Sequence, residues 1–125
     1  MTDRKRFPPT ILIVEDDPLL RFLTMNIVED AGFVPIEAAN ADEAVAILEA
    51  RSDIALLLTD IDMCGSMDGL TLAHAVRKRW PPIKIIVVSG HDRPLDYNLP
   101  AGSRFFAKPY HGDTMVSEIR SLIGS

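Results

Sequence analysis

The 125-residue chain is long enough for one domain, and its 47% hydrophobic and 25% charged residues are typical of a globular protein with a real core. Its formal net charge of -5 argues against nucleic acid or an anionic membrane as a primary partner, because both favour a basic surface. No apolar run approaches the roughly 20 residues of a membrane span, and a single cysteine excludes an internal disulfide, which favours a reducing, cytoplasmic setting.

Residues 1–9 are predicted to form a flexible arm, and residues 10–125 a single domain in which apolar runs alternate with helical patterns. The apolar runs are rich in β-branched residues. Several are apolar at consecutive positions, which indicates parallel strands buried on both faces. These predicted strands lie at residues 10–14, 33–37, 54–59, 83–88 and 104–107.

Four helices are predicted between and after these strands. The first has Asp17 as its N-cap and Pro18 at its first position, and it ends near Gly32. The second opens at Asn40, with Glu43 as a capping partner. The others are predicted at residues 69–79 and 113–122. The stripe of the first helix that is expected to face the core consists of Leu19, Leu20, Leu23, Ile27 and Val28.

Strand–helix alternation of this kind predicts a doubly wound α/β sandwich with helices on both faces of a parallel sheet. In such sheets the functional site lies beyond the carboxyl ends of the strands. The residues that follow the predicted strands are therefore the first candidates for a site.

The candidate residues form a chemically coherent set. Glu15, Asp16 and Asp17 follow the first strand and Asp60 the third, while Ser89 and Lys108 follow the fourth and fifth. Clustered carboxylates repel one another unless a cation neutralises them, and such oxygen ligands suit magnesium. A carboxylate can also attack phosphorus to give an aspartyl phosphate, whose charge hydroxyl and ammonium groups can stabilise. The pattern predicts phosphoryl transfer to a carboxylate.

Four motifs in chain order resemble those of response-regulator receiver domains, over residues 11 to about 123. They are ILIVEDD at residues 11–17, LLLTD at 56–60 with MDG at 67–69, IIVVSG at 85–90, and FFAKP at 105–109. The resemblance implies a flavodoxin-like, three-layer α/β sandwich whose five-stranded parallel sheet has the order 2-1-3-4-5.

The same resemblance implies a role for each residue at the strand ends. Asp60 is the phosphoacceptor, and Lys108 binds the phosphoryl group and precedes a cis peptide at Pro109. Ser89 and Phe105 are the switch residues that move on phosphorylation. The ligands of Mg²⁺ (or Mn²⁺) are Glu15, Asp16, Asp60 and the backbone carbonyl of Asp62, with Asp16 closer to the metal than Glu15.

The expected activity is that of a signalling domain rather than an enzyme, although it assists its own phosphorylation and slow dephosphorylation. A histidine kinase or histidine phosphotransfer protein is the expected donor, and phosphorylation is expected to change binding to another protein. No attached output domain, no nucleic acid and no membrane are expected.

One segment departs from the family pattern. The stretch from Ser89 to Lys108 is about three residues shorter than usual, and Pro94 and Pro100 interrupt it. The helix that receivers carry there is predicted to be a stub or an irregular loop.

Two rival functions remain at this point. Asp60 and Asp62 resemble the Asp-x-Asp nucleophile motif of haloacid-dehalogenase-type phosphatases, but in that family the acidic pair follows the lysine, whereas Glu15 and Asp16 precede Asp60. The second rival is a pseudo-receiver that has the fold without phosphorylation, against which the intact strand-end residues argue.

Overall fold

The computed structural model describes residues 8–63, 67–90 and 98–124. Its strands are parallel and form one sheet in the order β2-β1-β3-β4-β5, which confirms the predicted fold. The strands are β1 (Thr10–Val14), β2 (Val34–Ala38), β3 (Ile54–Asp60), β4 (Lys84–Ser89) and β5 (Arg104–Ala107). The helices are α1 (Pro18–Asp30), α2 (Ala41–Ala50), α3 (Gly69–Arg79) and α4 (Gly112–Ile123). Predicted and observed boundaries differ by no more than one residue for all five strands and for α3 and α4.

Each face of the sheet has its own hydrophobic core, because successive side chains of a strand point to opposite faces. Leu12 of β1 and Leu57 of β3 lie in the core that Leu48 of α2 and Leu72 of α3 complete. The other core holds the alternate strand residues, with Val28 of α1 and Met115 and Ile119 of α4. Burial on both faces explains why β1 and β3 are apolar at consecutive positions.

Local capping chemistry fixes where two helices begin. The Asp17 carboxylate accepts hydrogen bonds from the backbone N–H of Leu19 at 2.9 Å and of Leu20 at 3.3 Å, which confirms Asp17 as the α1 cap. The Asn40 side chain accepts from the N–H of Glu43 at 2.8 Å. The Glu43 carboxylate accepts a hydrogen bond from the backbone N–H of Ala39 at 2.7 Å. Because a standard capping box uses the N–H of the cap residue itself, the predicted capping pair forms with Ala39 in place of Asn40 as the donor.

The predicted apolar stripe of α1 is wrong over its first two turns. Leu19, Leu20 and Leu23 are 65%, 38% and 47% exposed, and only Val28 of the stripe is fully buried. Met25 packs beside Val28 against the core. The physical reason is the position of these leucines along the helix axis. The buried face of α1 is confined to its second half, whereas its first turns lie at the carboxyl edge of the sheet.

The connection from β4 to β5 can be described only from Asn98 onward, so the predicted stub of the extra helix falls largely on residues 91–97, outside the described residues. Residues 98–100 have no helical structure. The segment from Asn98 to Ala101 is held to α3: the Arg77 guanidinium donates to the Ala101 carbonyl at 3.0 Å, and His74 Nε2 contacts the Asn98 carbonyl oxygen. Within the described ranges, the helices are too short or too polar to cross a membrane.

The flexible arm predicted for residues 1–9 lies mostly in residues 1–7, which are also outside the described residues, so the domain boundary stays a prediction.

Candidate functional site

A lysine joins two buried carboxylates at the carboxyl edge of the sheet. Lys108 Nζ lies 2.5 Å from Asp60 Oδ2 and 3.1 Å from Glu15 Oε1. Glu15 follows β1, Asp60 ends β3, and Lys108 follows β5, so three strands bring these side chains together. Glu15 and Asp60 are buried, whereas the Lys108 side chain is 25% exposed. The ammonium therefore neutralises charge that the sheet places inside the protein.

The two partners of Asp60 in this cluster have perturbed protonation equilibria. Burial raises the pKa of the Glu15 carboxyl above its ordinary value, opposed by the N–H of Asp17, and the charge of Asp60 raises it further. Burial alone would lower the pKa of Lys108, but hydrogen bonds and charges from Asp60 and Glu15 outweigh it, so the pKa is raised. The lysine is therefore held as an ammonium, and burial disfavours the charged form of Glu15.

Asp60 is also held from the loop that follows β3. The backbone N–H of Asp62 donates to Asp60 Oδ1 at 2.9 Å, while Oδ2 faces Lys108. Both oxygens of the candidate nucleophile are thus oriented by neighbours. The Ile61 N–H donates to the Val88 carbonyl at 2.8 Å, which fixes the end of β3 against the end of β4.

The fourth strand brings the switch candidate to the same edge. Ser89 is fully buried at the end of β4, and its hydroxyl donates to Asp62 Oδ2 at 3.0 Å. Its carbonyl accepts from the Lys108 N–H at 2.7 Å, which joins the ends of β4 and β5. The peptide bond between Lys108 and Pro109 is cis, as the family resemblance implied.

Two further predicted residues are Asp16, which follows β1, and Phe105, which lies in β5. Asp16 follows Glu15 directly and is half-buried, while Phe105 is half-buried in β5 and packs against the core under α2 and α3. Asp17 caps α1 and is not part of the site. Within the part of the chain that the structure describes, no group of three or more histidine, cysteine, aspartate and glutamate side chains is arranged to hold a metal ion.

Gly69 permits the close packing of α3 behind the nucleophile. A β-carbon at Gly69 would lie 1.8 Å from the Asp60 carbonyl oxygen and 2.9 Å from the Ile61 α-carbon. Both are backbone atoms, which cannot move aside without moving the end of β3. Glycine is therefore required here for close approach rather than for an unusual backbone angle.

Two features of the site were missed by sequence reasoning. The acidity of Asp62 is visible in the sequence, but only the fold shows that its carboxylate reaches Ser89. Likewise, the Arg21 guanidinium donates to the Glu15 carbonyl at 2.8 Å and pairs with Glu37 at the end of β2. No sequence signal distinguishes Arg21 from an ordinary exposed helix arginine.

The order of the strands and the acid–lysine cluster at their carboxyl ends define a doubly wound α/β domain with a carboxylate-centred site. The chain belongs to the response regulator receiver domain family, whose model matches residues 11–120. It is 33% identical over 110 residues to the putative response regulator NtrX-like of Rickettsia bellii, covering 85% of this chain and 23% of that protein.

Solved structures agree with this assignment. The CheY-like receiver domain protein of Methanospirillum hungatei is 29% identical, with a TM-score of 0.84 and 94% of each chain covered. Response regulator TrrA of Thermotoga maritima, solved in complex with Mg(2+)-BeF, has the same fold, with 23% identity, a TM-score of 0.83, and 91% of this chain and 98% of that chain covered. By contrast, the chain spans about a quarter of the NtrX-like relative, so the rest of that protein has no counterpart in the match.

Proposed function

We propose that this receiver domain accepts a phosphoryl group on Asp60 from a phosphohistidine donor, with the help of a bound divalent cation. The observation that carries the proposal is the Lys108 ammonium, 2.5 Å from the buried Asp60 carboxylate and 3.1 Å from Glu15. Burying two carboxylates around one ammonium costs free energy, because all three charges lose hydration. The same arrangement suits a reaction in which charge develops beside the ammonium.

The reaction can be written from the residues present. A carboxylate oxygen of Asp60 forms a bond to phosphorus as the bond from phosphorus to the donor's imidazole nitrogen breaks, and the imidazole leaves with that electron pair. Lys108 stabilises the transferred phosphoryl oxygens and loses its direct contact with the Asp60 carboxylate. The Asp62 N–H, now 2.9 Å from Asp60 Oδ1, keeps the side chain oriented.

The residues fit a hard cation such as Mg²⁺ or Mn²⁺. Carboxylate oxygens of Glu15 and Asp60 already share one ammonium, and Asp16 and the carbonyl of Asp62 supply further oxygen atoms nearby in sequence. Because magnesium keeps several water ligands, the site does not need a preformed cage of three side chains. When bound, the cation would neutralise the charge on the transferred phosphoryl group.

Ser89 and Phe105 are proposed to carry the switch. Ser89 lies at the end of β4, beside the site, with its hydroxyl committed to Asp62 in the unmodified protein. Phe105 lies in the adjacent strand β5 and pairs in register with Val87. Movement of the Ser89 hydroxyl toward the phosphoryl group would release space that Phe105 can occupy.

The donor is proposed to dock on the exposed first turns of α1. Leu20 and Leu23 line an open cleft of about 470 Å³ together with Pro109 and Tyr110, and Glu15 and Lys108 of the site also line it. A partner seated there is placed directly beside the phosphoacceptor, which is the position that a phosphohistidine must reach. Family members receive their phosphoryl group from histidine kinases, and we extend this to a kinase or phosphotransfer protein here.

The remaining elements of the proposal concern context. We propose a cytoplasmic signalling domain that works by changing its contact with another protein. In this account the domain assists its own phosphorylation and slow dephosphorylation but is not an enzyme toward other substrates.

The experiment is labelling with a small phosphodonor such as acetyl phosphate, followed by intact-mass measurement. Wild type should gain one phosphoryl group only in the presence of Mg²⁺, and Asp60→Asn should gain none while keeping its fold by circular dichroism. Asp113→Asn is the matched control, since it removes one exposed carboxylate of α4 that is not among the site residues. A wild-type protein that stays unlabelled at every Mg²⁺ concentration would instead be the pseudo-receiver.

A further inference from the structure

The side chain of Asp62 is hydrogen-bonded to the proposed switch residue, Ser89. Asp62 Oδ2 accepts from the Ser89 hydroxyl at 3.0 Å and from the Gly90 N–H at 3.3 Å. The N–H of the same residue donates to Asp60 Oδ1 at 2.9 Å. One residue thus holds the proposed phosphoacceptor through its backbone and the proposed switch through its carboxylate.

These two side-chain bonds are not needed to build the sheet. β3 and β4 are already joined by strand pairing that extends to Asp60 and Val88, and by the bond from the Ile61 N–H to the Val88 carbonyl. Asp62 itself is exposed, so burial does not hold its side chain in place. Its direction is set by hydrogen bonds to a charged acceptor, which are stronger than those between neutral groups.

We propose that the Asp62 carboxylate is a latch that holds Ser89 in the unphosphorylated arrangement. A serine hydroxyl has one hydrogen to donate. In the resting protein that hydrogen is directed to Asp62, so Ser89 cannot donate it to a phosphoryl oxygen on Asp60 until the Asp62 bond breaks. This inference rests on the proposed function, in which Ser89 follows the phosphoryl group.

The latch opposes phosphorylation through the Asp62–Ser89 hydrogen bond. The effect of this bond can be measured separately from the charge repulsion between Asp62 and the phosphoryl group. Removing the Asp62 carboxylate takes away a competing acceptor and also a negative charge near the phosphoryl group. Only the first effect acts through the Ser89 hydroxyl. Alanine at position 62 keeps the backbone N–H to Asp60 and the backbone carbonyl proposed to bind the cation, so the remaining site is preserved.

The test is a double-mutant cycle read out by binding of beryllofluoride, a phosphoryl mimic, in the presence of Mg²⁺. Calorimetric titration of wild type, Asp62→Ala, Ser89→Ala and the double variant gives the affinity of each. We expect Asp62→Ala to bind about tenfold more tightly than wild type, which corresponds to the loss of one competing hydrogen bond to a charged acceptor. In the Ser89→Ala background, the same change should have an effect of about twofold or less, from charge alone.

Asp113→Asn is the control for charge, because it removes an exposed carboxylate that does not contact Ser89, and it should bind like wild type. A second readout needs no ligand: amide hydrogen exchange at Gly90 should speed up in unliganded Asp62→Ala and stay unchanged in Asp113→Asn. If Asp62→Ala fails to fold, Asp62→Asn serves in its place, with a smaller gain in affinity because a neutral acceptor remains.

Equal tightening in both Ser89 backgrounds would overturn the latch and leave only electrostatic repulsion, and unchanged affinity in Asp62→Ala would overturn it as well. Either result would leave the proposed function intact, since wild type still binds the mimic. A wild-type protein that neither binds beryllofluoride nor takes up a phosphoryl group would overturn the proposed function and the latch with it.

Discussion

The ion pairs at the amino ends of the strands differ in burial from the acid–lysine cluster at their carboxyl ends. At the amino ends of the strands, the ion pairs Arg51–Asp53, Arg79–Glu49 and Arg104–Glu118 are substantially exposed. At the carboxyl ends, Glu15 and Asp60 are buried around Lys108. Exposed pairs contribute little to stability, whereas buried charges lose hydration that their pairing only partly restores. The pairs at the amino ends are ordinary surface ion pairs, whereas the buried cluster at the carboxyl ends suits the proposed phosphoryl transfer.

The largest effect should follow from removing the shared cation. Lys108→Ala should slow Mg²⁺-dependent labelling by acetyl phosphate about a hundredfold, the usual loss for a preorganised charge that stabilises a transition state. Arg104→Ala removes a cation of the exposed type from the amino end of β5 and should label at the wild-type rate. Labelling rates measured by quenched intact-mass sampling decide between them. Comparable rates for the two variants would contradict the distinction between the ends of the sheet.

The next largest effect concerns the support behind the nucleophile. Gly69→Ala places a β-carbon against the carbonyl of Asp60, so it should lower the free energy of unfolding by about 3 kcal/mol and slow labelling. Gly90→Ala is the control, because nothing lies within 4 Å of its β-carbon position. Urea denaturation measures both. A Gly69→Ala protein as stable as Gly90→Ala would show that the end of β3 can move freely.

A smaller effect, with the opposite sign, is expected when a carboxylate is removed from the site. Asp60→Asn and Asp16→Asn should not lower the melting temperature without metal, because fewer like charges then share the edge. Added Mg²⁺ should raise the melting temperature of wild type and have less effect on Asp16→Asn. Thermal unfolding by circular dichroism tests both statements. A drop of many degrees in either metal-free variant would mean that these carboxylates are structural.

The smallest effect is predicted at the amino end of the sheet. Glu49→Gln breaks the ion pair between Glu49 and Arg79, in which the two side chains are 53% and 49% exposed. The change should alter the free energy of unfolding by less than about 1 kcal/mol, because exposed ion pairs contribute little to stability. Labelling should be unaffected. Urea denaturation measures the free energy of unfolding. A loss well above about 1 kcal/mol would show that this exposed ion pair stabilises the fold.

Much of the fold and site could be predicted because the signals are local. Consecutive β-branched residues mark strands buried on both faces, Asp17 and Asn40 cap helices through their own neighbours, and parallel strands bring Glu15, Asp60 and Lys108 to one edge. Contacts that depend on three-dimensional placement could not be read in the same way.

Two kinds of feature could not be predicted from the sequence: how far the core extends along a helix, and which side chains meet across loops. Periodicity puts Leu19 and Leu23 on the side of α1 that faces the core but does not say how far along the helix the core extends. The side chain of Asp62 reaches Ser89 across the ends of two strands, and Arg77 bonds to a carbonyl 24 positions away. Such contacts follow from loop conformation and sheet geometry, which composition and spacing do not encode.

Locating the phosphoryl group tests directly whether Asp60 is the phosphoacceptor. Wild type labelled by acetyl phosphate in Mg²⁺ is treated with borohydride, which reduces an aspartyl phosphate to homoserine, and the modified peptide is identified by mass spectrometry. The expected result is modification at Asp60 alone and none when Mg²⁺ is chelated. Modification at Asp16 or Asp62, or labelling that persists without a divalent cation, would contradict it.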